Sequence, residues 1–258
     1  MSTAPPTQVK GHPAVICMRG ISKRFPGVQA LRGVDFDLRG GEVVALLGAN
    51  GAGKSTMIKI LSGVYSADTG EMLLDDQPVE FQTPLQAYAH GISVVHQETS
   101  LIPSASVVQN VFLGREYSLA AGVLDERRMR EEYERVRQRF GLNIPGHVLV
   151  RDLGAAQKKL VEIIKAVSRN SRILIMDEPT DALSRHEAQT LFEVVRDLKR
   201  QGMSIVFITH FLDEVKEVAD NVTVLRDGAI VIRSAPASLN VGELVALIVR
   251  DAKEFAAP

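Results

Sequence analysis

The stretch GANGAGKST (residues 48–56) fits the pattern G-x-x-x-x-G-K-[ST] and follows directly on the apolar run EVVALLG. A buried strand that ends in such a loop and continues into a helix restricts the chain to a narrow set of α/β folds. Gly48, Gly51 and Gly53 let the backbone turn so that successive N–H groups face one anion. The helix opening at STMIKIL adds the positive end of its dipole. Lys54 is placed to reach the β- and γ-phosphates of a nucleotide, and the Ser55 hydroxyl suits Mg²⁺. Spacing and flanks are both right, so a glycine-rich turn with a chance lysine is the poorer account.

Other segments repeat the alternation of strand and helix. RILIMD (172–177) and MSIVFITH (203–210) are apolar runs of strand length, as expected for a largely parallel sheet. Between them, SRHEAQTLFEVVRDLKRQG (184–202) carries the capping-box pair Ser184 and Glu187, and Gly202 is its stop. Its apolar face is Leu191, Val194, Val195 and Leu198. The pattern predicts a doubly wound α/β core. VTVLRDGAIVI (222–232) alternates around Asp227-Gly228, a β-hairpin signal.

Residues 99–157 lack such buried runs. There DERRMREEYERVRQRFGL begins at Asp125 as N-cap and sets Met129, Tyr133, Val136 and Phe140 on one face. Arg and Glu crowd the other face. Their signs cancel, so a solvated face of ion pairs is expected rather than a nucleic-acid surface. The region reads as a helical subdomain over about 99–157, inserted into a core of 13–98 and 158–258. Residues 1–12 read as a disordered lead-in.

The formal net charge of −1 gives no reason to expect a nucleic-acid partner. A single cysteine, Cys17, excludes an internal disulfide and suits a reducing cytoplasm. It lies in the strand-like AVICM and reads as a small buried hydrophobe. No apolar run approaches the ~18 residues of a membrane span. MSTAPPTQVKGHP has no apolar signal core, so work at a membrane would need other subunits as the anchor.

Four further positions carry chemistry. Asp177 ends a buried strand, where a carboxylate emerges at the sheet edge and can hold a metal through water. Glu178 follows, a plausible general base for water beside a triphosphate. His210 ends MSIVFITH and should emerge on the same edge, within reach of a γ-phosphate. Gln97 ends the strand-like SVVHQ and could coordinate Mg²⁺ or orient water. His96 reads as a packing residue, and His12, His90, His147 and His186 show no ligand spacing.

In this order GANGAGKST, Gln97, LGAAQ (153–157), ILIMDEPT, DALS and His210 resemble the ATP-binding subunits of ABC transporters, over about residues 15–250. The resemblance implies a P-loop NTPase core of ABC ATPase type, with N-terminal antiparallel strands and an inserted helical subdomain. It implies ATP and Mg²⁺ as cofactors. Phe25 would stack on adenine, and Gly48, Ala49, Asn50, Gly51, Ala52, Gly53, Lys54, Ser55 and Thr56 would cradle the phosphates. Glu178, His210 and Gln97 would be catalytic; Ser55, Gln97 and Asp177 would hold the metal.

KRFPGVQALRGVDF, SVVHQE, SVVQNVFLGRE and ITHFLDEVKEVADNVTVLRDG are similar to sugar importers of the ribose, xylose and fructose kind. Many such subunits fuse two ATPase halves; this chain resembles the first, intact half, as a single-domain form. The implied partners are a second ABC ATPase domain, two membrane permease subunits facing the helical subdomain and the Gln97 loop, and, indirectly, a periplasmic sugar-binding protein. The implied place is the cytoplasmic face of the inner membrane.

The family's usual signature turn is Leu-Ser-Gly-Gly-Gln, which opens a helix toward the ATP held by the other subunit. Here the turn is Leu153, Gly154, Ala155, Ala156 and Gln157, without the hydroxyl. DALS also departs from the commoner Ser-Ala-Leu-Asp, with Asp181 first and Ser184 last. An ATP hydrolase powering solute import is the leading expectation. A weakly hydrolysing nucleotide-binding scaffold in an asymmetric dimer is second. A soluble ABC ATPase acting on nucleic acid is a distant third, because the long coiled coil and second ATPase domain of such relatives have no counterpart in these residues.

Overall fold

A computed structural model describes residues 14–119, 122–169, 171–237 and 242. The lead-in expected over residues 1–12, His12, and the chain beyond residue 242 lie outside them. Strands β1 (Ala14–Phe25) and β2 (Val28–Arg39) pair antiparallel, with Met18 opposite Phe36. β4 (Thr69–Leu74) and β5 (Gln77–Val79) extend them into a four-stranded antiparallel sheet ordered β2-β1-β4-β5. β1 and β2 are the expected N-terminal antiparallel strands; β4 and β5 come later in the chain and join the same sheet.

The second sheet holds β3 (Val43–Leu47), β6 (Ile92–Val95), β7 (Ile173–Asp177), β8 (Ser204–Ile208), β9 (Asn221–Arg226) and β10 (Ala229–Pro236). Its order is β10-β9-β3-β8-β7-β6. All neighbours run parallel except β10 on β9. Every residue of β3 and β8 is buried, because helices or the other sheet cover both faces. Successive side chains of β3 point opposite ways: Val44 and Leu46 join the core shared with β1, β2 and α1 (Lys54–Leu61), while Val43 enters the opposite core.

Local signals set the helices. In α6 (Arg185–Arg200) the Ser184 hydroxyl accepts from Glu187 N and the Glu187 carboxylate accepts from Ser184 N, the expected capping box. Asp125 caps α4 (Glu126–Arg139) by accepting from Arg128 N at 3.0 Å. Met129 and Tyr133 are buried beneath it, and the Tyr133 hydroxyl donates to Ile144 O at 2.6 Å. Asp227 and Gly228 both have positive φ, 47° and 80°, the primed turn a tight hairpin needs.

Between β6 and β7 stand α3 (Val107–Phe112), α4 and α5 (Ala155–Val167). Their apolar faces share one continuous core cluster with α6, β7 and β8, so the inserted helices are welded to the sheet. α2 (Pro84–Ala89) and α7 (Leu212–Val218) complete the described α-helices, and a 3₁₀ turn spans Val150–Asp152.

Two strand ends differ from expectation. β8 stops at Ile208, two residues before His210. The Thr209 hydroxyl accepts from Phe211 N and donates to Glu214, which turns the chain into α7. β6 stops at Val95, because the carbonyls of His96 and Gln97 are taken by Lys159 Nζ, at 2.6 and 3.0 Å, instead of by a neighbouring strand. His96 is exposed, not a packing residue, because the chain has already left the sheet.

Candidate functional site

A parallel sheet brings the ends of its strands to one edge. Here β3 delivers the loop 48–53, β7 delivers Asp177 and Glu178, β8 leads to His210 and β6 leads to Gln97. A cleft of about 950 Å³ opens along that edge. It is lined by Phe25, Ala49, Asn50, Gly51, Gly53, Lys54, Ser55, Thr56, Gln97, Asp177 and Glu178, all read as site residues from the sequence. Ala52 is buried beneath the loop, and Gly48 borders a neighbouring apolar hollow.

The loop's glycines have different reasons. Gly51 and Gly53 have φ of 82° and 110°, which favour glycine. Gly48 does not; a Cβ there would stand 2.4 Å from Leu225 O, so close backbone approach is its reason. The hairpin turn of β9 and β10 braces the loop: Gly228 N donates to Ala52 O at 2.9 Å, and Arg32 N donates to Gly228 O at 2.7 Å. α1 starts with no acidic residue in its first turn and no side-chain cap, which leaves its N-terminal N–H groups for an anion.

Lys54 is buried, its ammonium donating to Gly48 O at 2.6 Å and Ala49 O at 3.2 Å. Glu178 Oε1 lies 3.9 Å from Lys54 Nζ and 3.6 Å from His210 Nδ1. Glu178 adopts φ 45°, and its N–H donates to Ile208 O at 3.0 Å. A non-glycine residue held in that region stores strain of order 1–3 kcal/mol, which is tolerated where a side chain must be aimed. Burial raises the Glu178 carboxyl from its ordinary pKa, and Asp181 raises it further; Lys54 and His210 oppose the shift. Burial also raises Asp177, against the positive fields of His96, Lys54 and Lys159.

The donor chemistry fits the expected cofactors. Ser55, Gln97 and Asp177 offer hydroxyl, amide and carboxylate oxygens to one cleft, the hard donors Mg²⁺ prefers. The buried ammonium and the uncapped helix start beside them suit a polyphosphate. Phe25 stands at the cleft with its ring edge-on to Tyr65, centroids 5.3 Å apart.

Sequence reasoning missed several contributors. Val28, Gln29, Ala30 and Arg32 of β2 line the cleft, as do Asp227 and Gly228, read before only as a turn. Asp181, read only as an unusual residue, accepts a hydrogen bond from Gln97 Nε2 at 2.9 Å. Its carboxylate groups with Glu178 and His210 within 4.8 Å. The turn 153–157 does not line this cleft. Leu153 is buried as its anchor, Gly154, Ala155 and Gln157 are exposed, and Gln157 Oε1 accepts from Gly154 N at 3.1 Å.

Comparison with known proteins accords with this geometry. A family model described as ABC transporter matches residues 31–181. The chain is 50% identical over 233 residues to a ribose import ATP-binding protein RbsA 1 of Rubrobacter xylanophilus, covering 90% of this chain and 46% of that protein. It is 46% identical over 237 residues to a putative ribose/galactose/methyl galactoside import ATP-binding protein of Albidiferax ferrireducens, covering 92% of this chain and 47% of that one. The chain thus spans about half the length of these curated relatives. Among solved structures, an ATP-binding cassette of an ABC transporter in its ADP conformation matches with a TM-score of 0.80 at 25% identity, over 92% of this chain and 99% of that one. cbiO1 from Clostridium perfringens, part of the transporter complex cbiONQ, matches with a TM-score of 0.76 at 26% identity, over 93% of this chain and 95% of that one.

Proposed function

Because the chain belongs to the ABC transporter family, we propose that it binds and hydrolyses ATP to energise a membrane importer of a sugar. The observation that carries this reading is the convergence of Lys54, Ser55, Gln97, Asp177 and Glu178 on one cleft at the ends of parallel strands. Relatives named for ribose and galactoside import support the sugar.

Phe25 takes the adenine, and the 48–53 loop with Lys54 and Thr56 takes the phosphates. Ser55, Gln97 and Asp177 hold Mg²⁺, which when bound supplies neutralisation of phosphate charge. Glu178 accepts the proton of the attacking water, and its raised carboxyl keeps its basicity closer to working pH. His210, 3.6 Å from that carboxylate, orients it and faces the γ-phosphate. The turn 153–157 serves the ATP of a second ATPase domain, a copy or a related chain. Two permease subunits anchor the pair at the cytoplasmic face of the membrane, and a periplasmic sugar-binding protein acts through them. No helix among the described residues is long and apolar enough to cross a membrane, in keeping with an anchor supplied by other subunits. No nucleic-acid partner enters this reading.

The test is Mg²⁺-dependent ATP hydrolysis by the purified chain and its Glu178→Gln variant. Removal of a positioned base costs ~10²–10⁴ in rate. The variant should keep ATP binding, lose turnover by that factor and elute as an ATP-dependent dimer. Near-normal turnover would place the base elsewhere, and absence of ATP binding would overturn the function. Proteins that co-purify from detergent-solubilised membranes identify the permease and, through it, the solute. One observation favours a second reading, a weakly hydrolysing partner in an asymmetric dimer: the exposed turn at Gly154 lacks a hydroxyl.

A further inference from the structure

Asp181 holds Gln97: Gln97 Nε2 donates to Asp181 Oδ2 at 2.9 Å, across 84 residues of chain. We propose that Asp181 is a positioning residue that fixes the Gln97 amide with its oxygen turned to a divalent cation in the cleft. This rests on the function proposed above.

The argument is one of donors and acceptors. An amide side chain has one face that donates and one that accepts, and only its oxygen binds a hard cation. An ionised carboxylate can only accept. Opposite Asp181, the amide must therefore present its nitrogen, and its oxygen is left for the cleft that Gln97 lines with Ser55 and Asp177. A serine hydroxyl donates as readily as it accepts, so it would leave both orientations of the amide open. The carboxylate removes that ambiguity. Asp181 is itself set in place by the turn after β7, where Asp181 N donates to Glu178 O at 3.5 Å, and its carboxylate abuts Glu178 and His210. Partners that orient a metal ligand in this way commonly change metal affinity by ~10–100-fold when removed, and an exposed pair belongs at the lower end.

The experiment measures ATP affinity by calorimetry, with Mg²⁺ and with EDTA, and takes the ratio. Wild type, Asp181→Ala, Asp181→Asn, Gln97→Ala and the double variant Asp181→Ala/Gln97→Ala are compared. Asp181→Ala should lower the Mg²⁺-dependent ratio about tenfold while leaving affinity in EDTA unchanged, which also reports an intact fold. Asp181→Asn offers Gln97 a donor as well as an acceptor, leaves both orientations of the amide open, and should lower the ratio, though no further than the alanine does. In the Gln97→Ala background, Asp181→Ala should have no further effect, because the two residues act as one unit. An unchanged ratio in Asp181→Ala, an equal fall in EDTA, an Asp181→Asn ratio equal to wild type, or additive effects would each overturn the assignment. Wild-type affinity that ignores Mg²⁺ would instead overturn the proposed function, and the role of Asp181 with it.

Discussion

Lys54 Nζ lies 3.9 Å from Glu178 Oε1, with the two side chains only 7% and 12% exposed. One ammonium thus serves the loop carbonyls and the Glu178 carboxylate together. Lys54→Met keeps the apolar stem and removes the charge. Loss of a charge-assisted contact to phosphate is worth ~1.5–3 kcal/mol, so ATP affinity should fall roughly ten- to a hundred-fold. The Glu178 carboxyl, which Lys54 holds down, should rise further. Calorimetric titration with ATP checks the first effect, and unchanged affinity would remove Lys54 from the site.

The turn at 153–157 tests how much the hydroxyl matters. Gly154 has φ −67°, and a Cβ there would meet only Gln157 Oε1, at 3.9 Å, so serine fits without strain. Serine is also a favoured N-cap residue. The triple variant Gly154→Ser, Ala155→Gly, Ala156→Gly should fold and should raise both ATP-dependent dimerisation and turnover. Brisk wild-type hydrolysis with no gain in the variant would mean that the backbone N–H groups and helix dipole suffice.

Gly53→Ala should be costly where a change at Gly154 is cheap. Its Cβ would stand 2.6 Å from Ala30 O and 2.9 Å from Leu31 Cδ2, at φ 110°. A left-handed non-glycine residue alone costs of order 1–3 kcal/mol. The unfolding free energy of Gly53→Ala in urea should fall accordingly, while that of Gly154→Ser stays within about 0.5 kcal/mol of wild type. Equal free energies for the two would refute the close approach of β2 to the loop.

Cys17 is 4% exposed, and burial first, then Asp37, pushes its thiol from 9.0 up to about 11. The native thiol should ignore a thiol reagent at neutral pH and react fully once the chain is unfolded. The folded state keeps a proton that the unfolded state releases, so this contribution to stability is complete below pH 9 and is lost as pH rises toward 11. Cys17→Ala should flatten that part of the stability-versus-pH curve. A decline of equal slope in the variant would assign it to other groups.

What was legible in the sequence is what neighbours in the chain decide. The buried runs of β3, β7 and β8 show sheet interior, Ser184 with Glu187 shows a helix start, and Asp227-Gly228 shows a tight hairpin. The cleft's phosphate side followed from one contiguous motif. Short elements such as α2, six residues long, gave too few periods to read. Contacts between distant segments were silent. Nothing near Asp181 in the chain announces Gln97, and nothing in β2 marks Gln29 or Arg32 as cleft residues. His96 and His210 were placed in strands because their neighbours are apolar, whereas Lys159 and Thr209 draw the backbone off the ladder just before them.

The clamp of Lys159 on the carbonyls of His96 and Gln97 has a mechanical meaning. Lys159 belongs to α5, one turn beyond the exposed start at Ala155. A helix is stiff over its 1.5 Å per residue, so α5 is a short rod with the exposed turn 153–157 at its tip and this chain's Gln97 bolted to its shaft. A push on the tip is therefore felt at the cleft of the same chain.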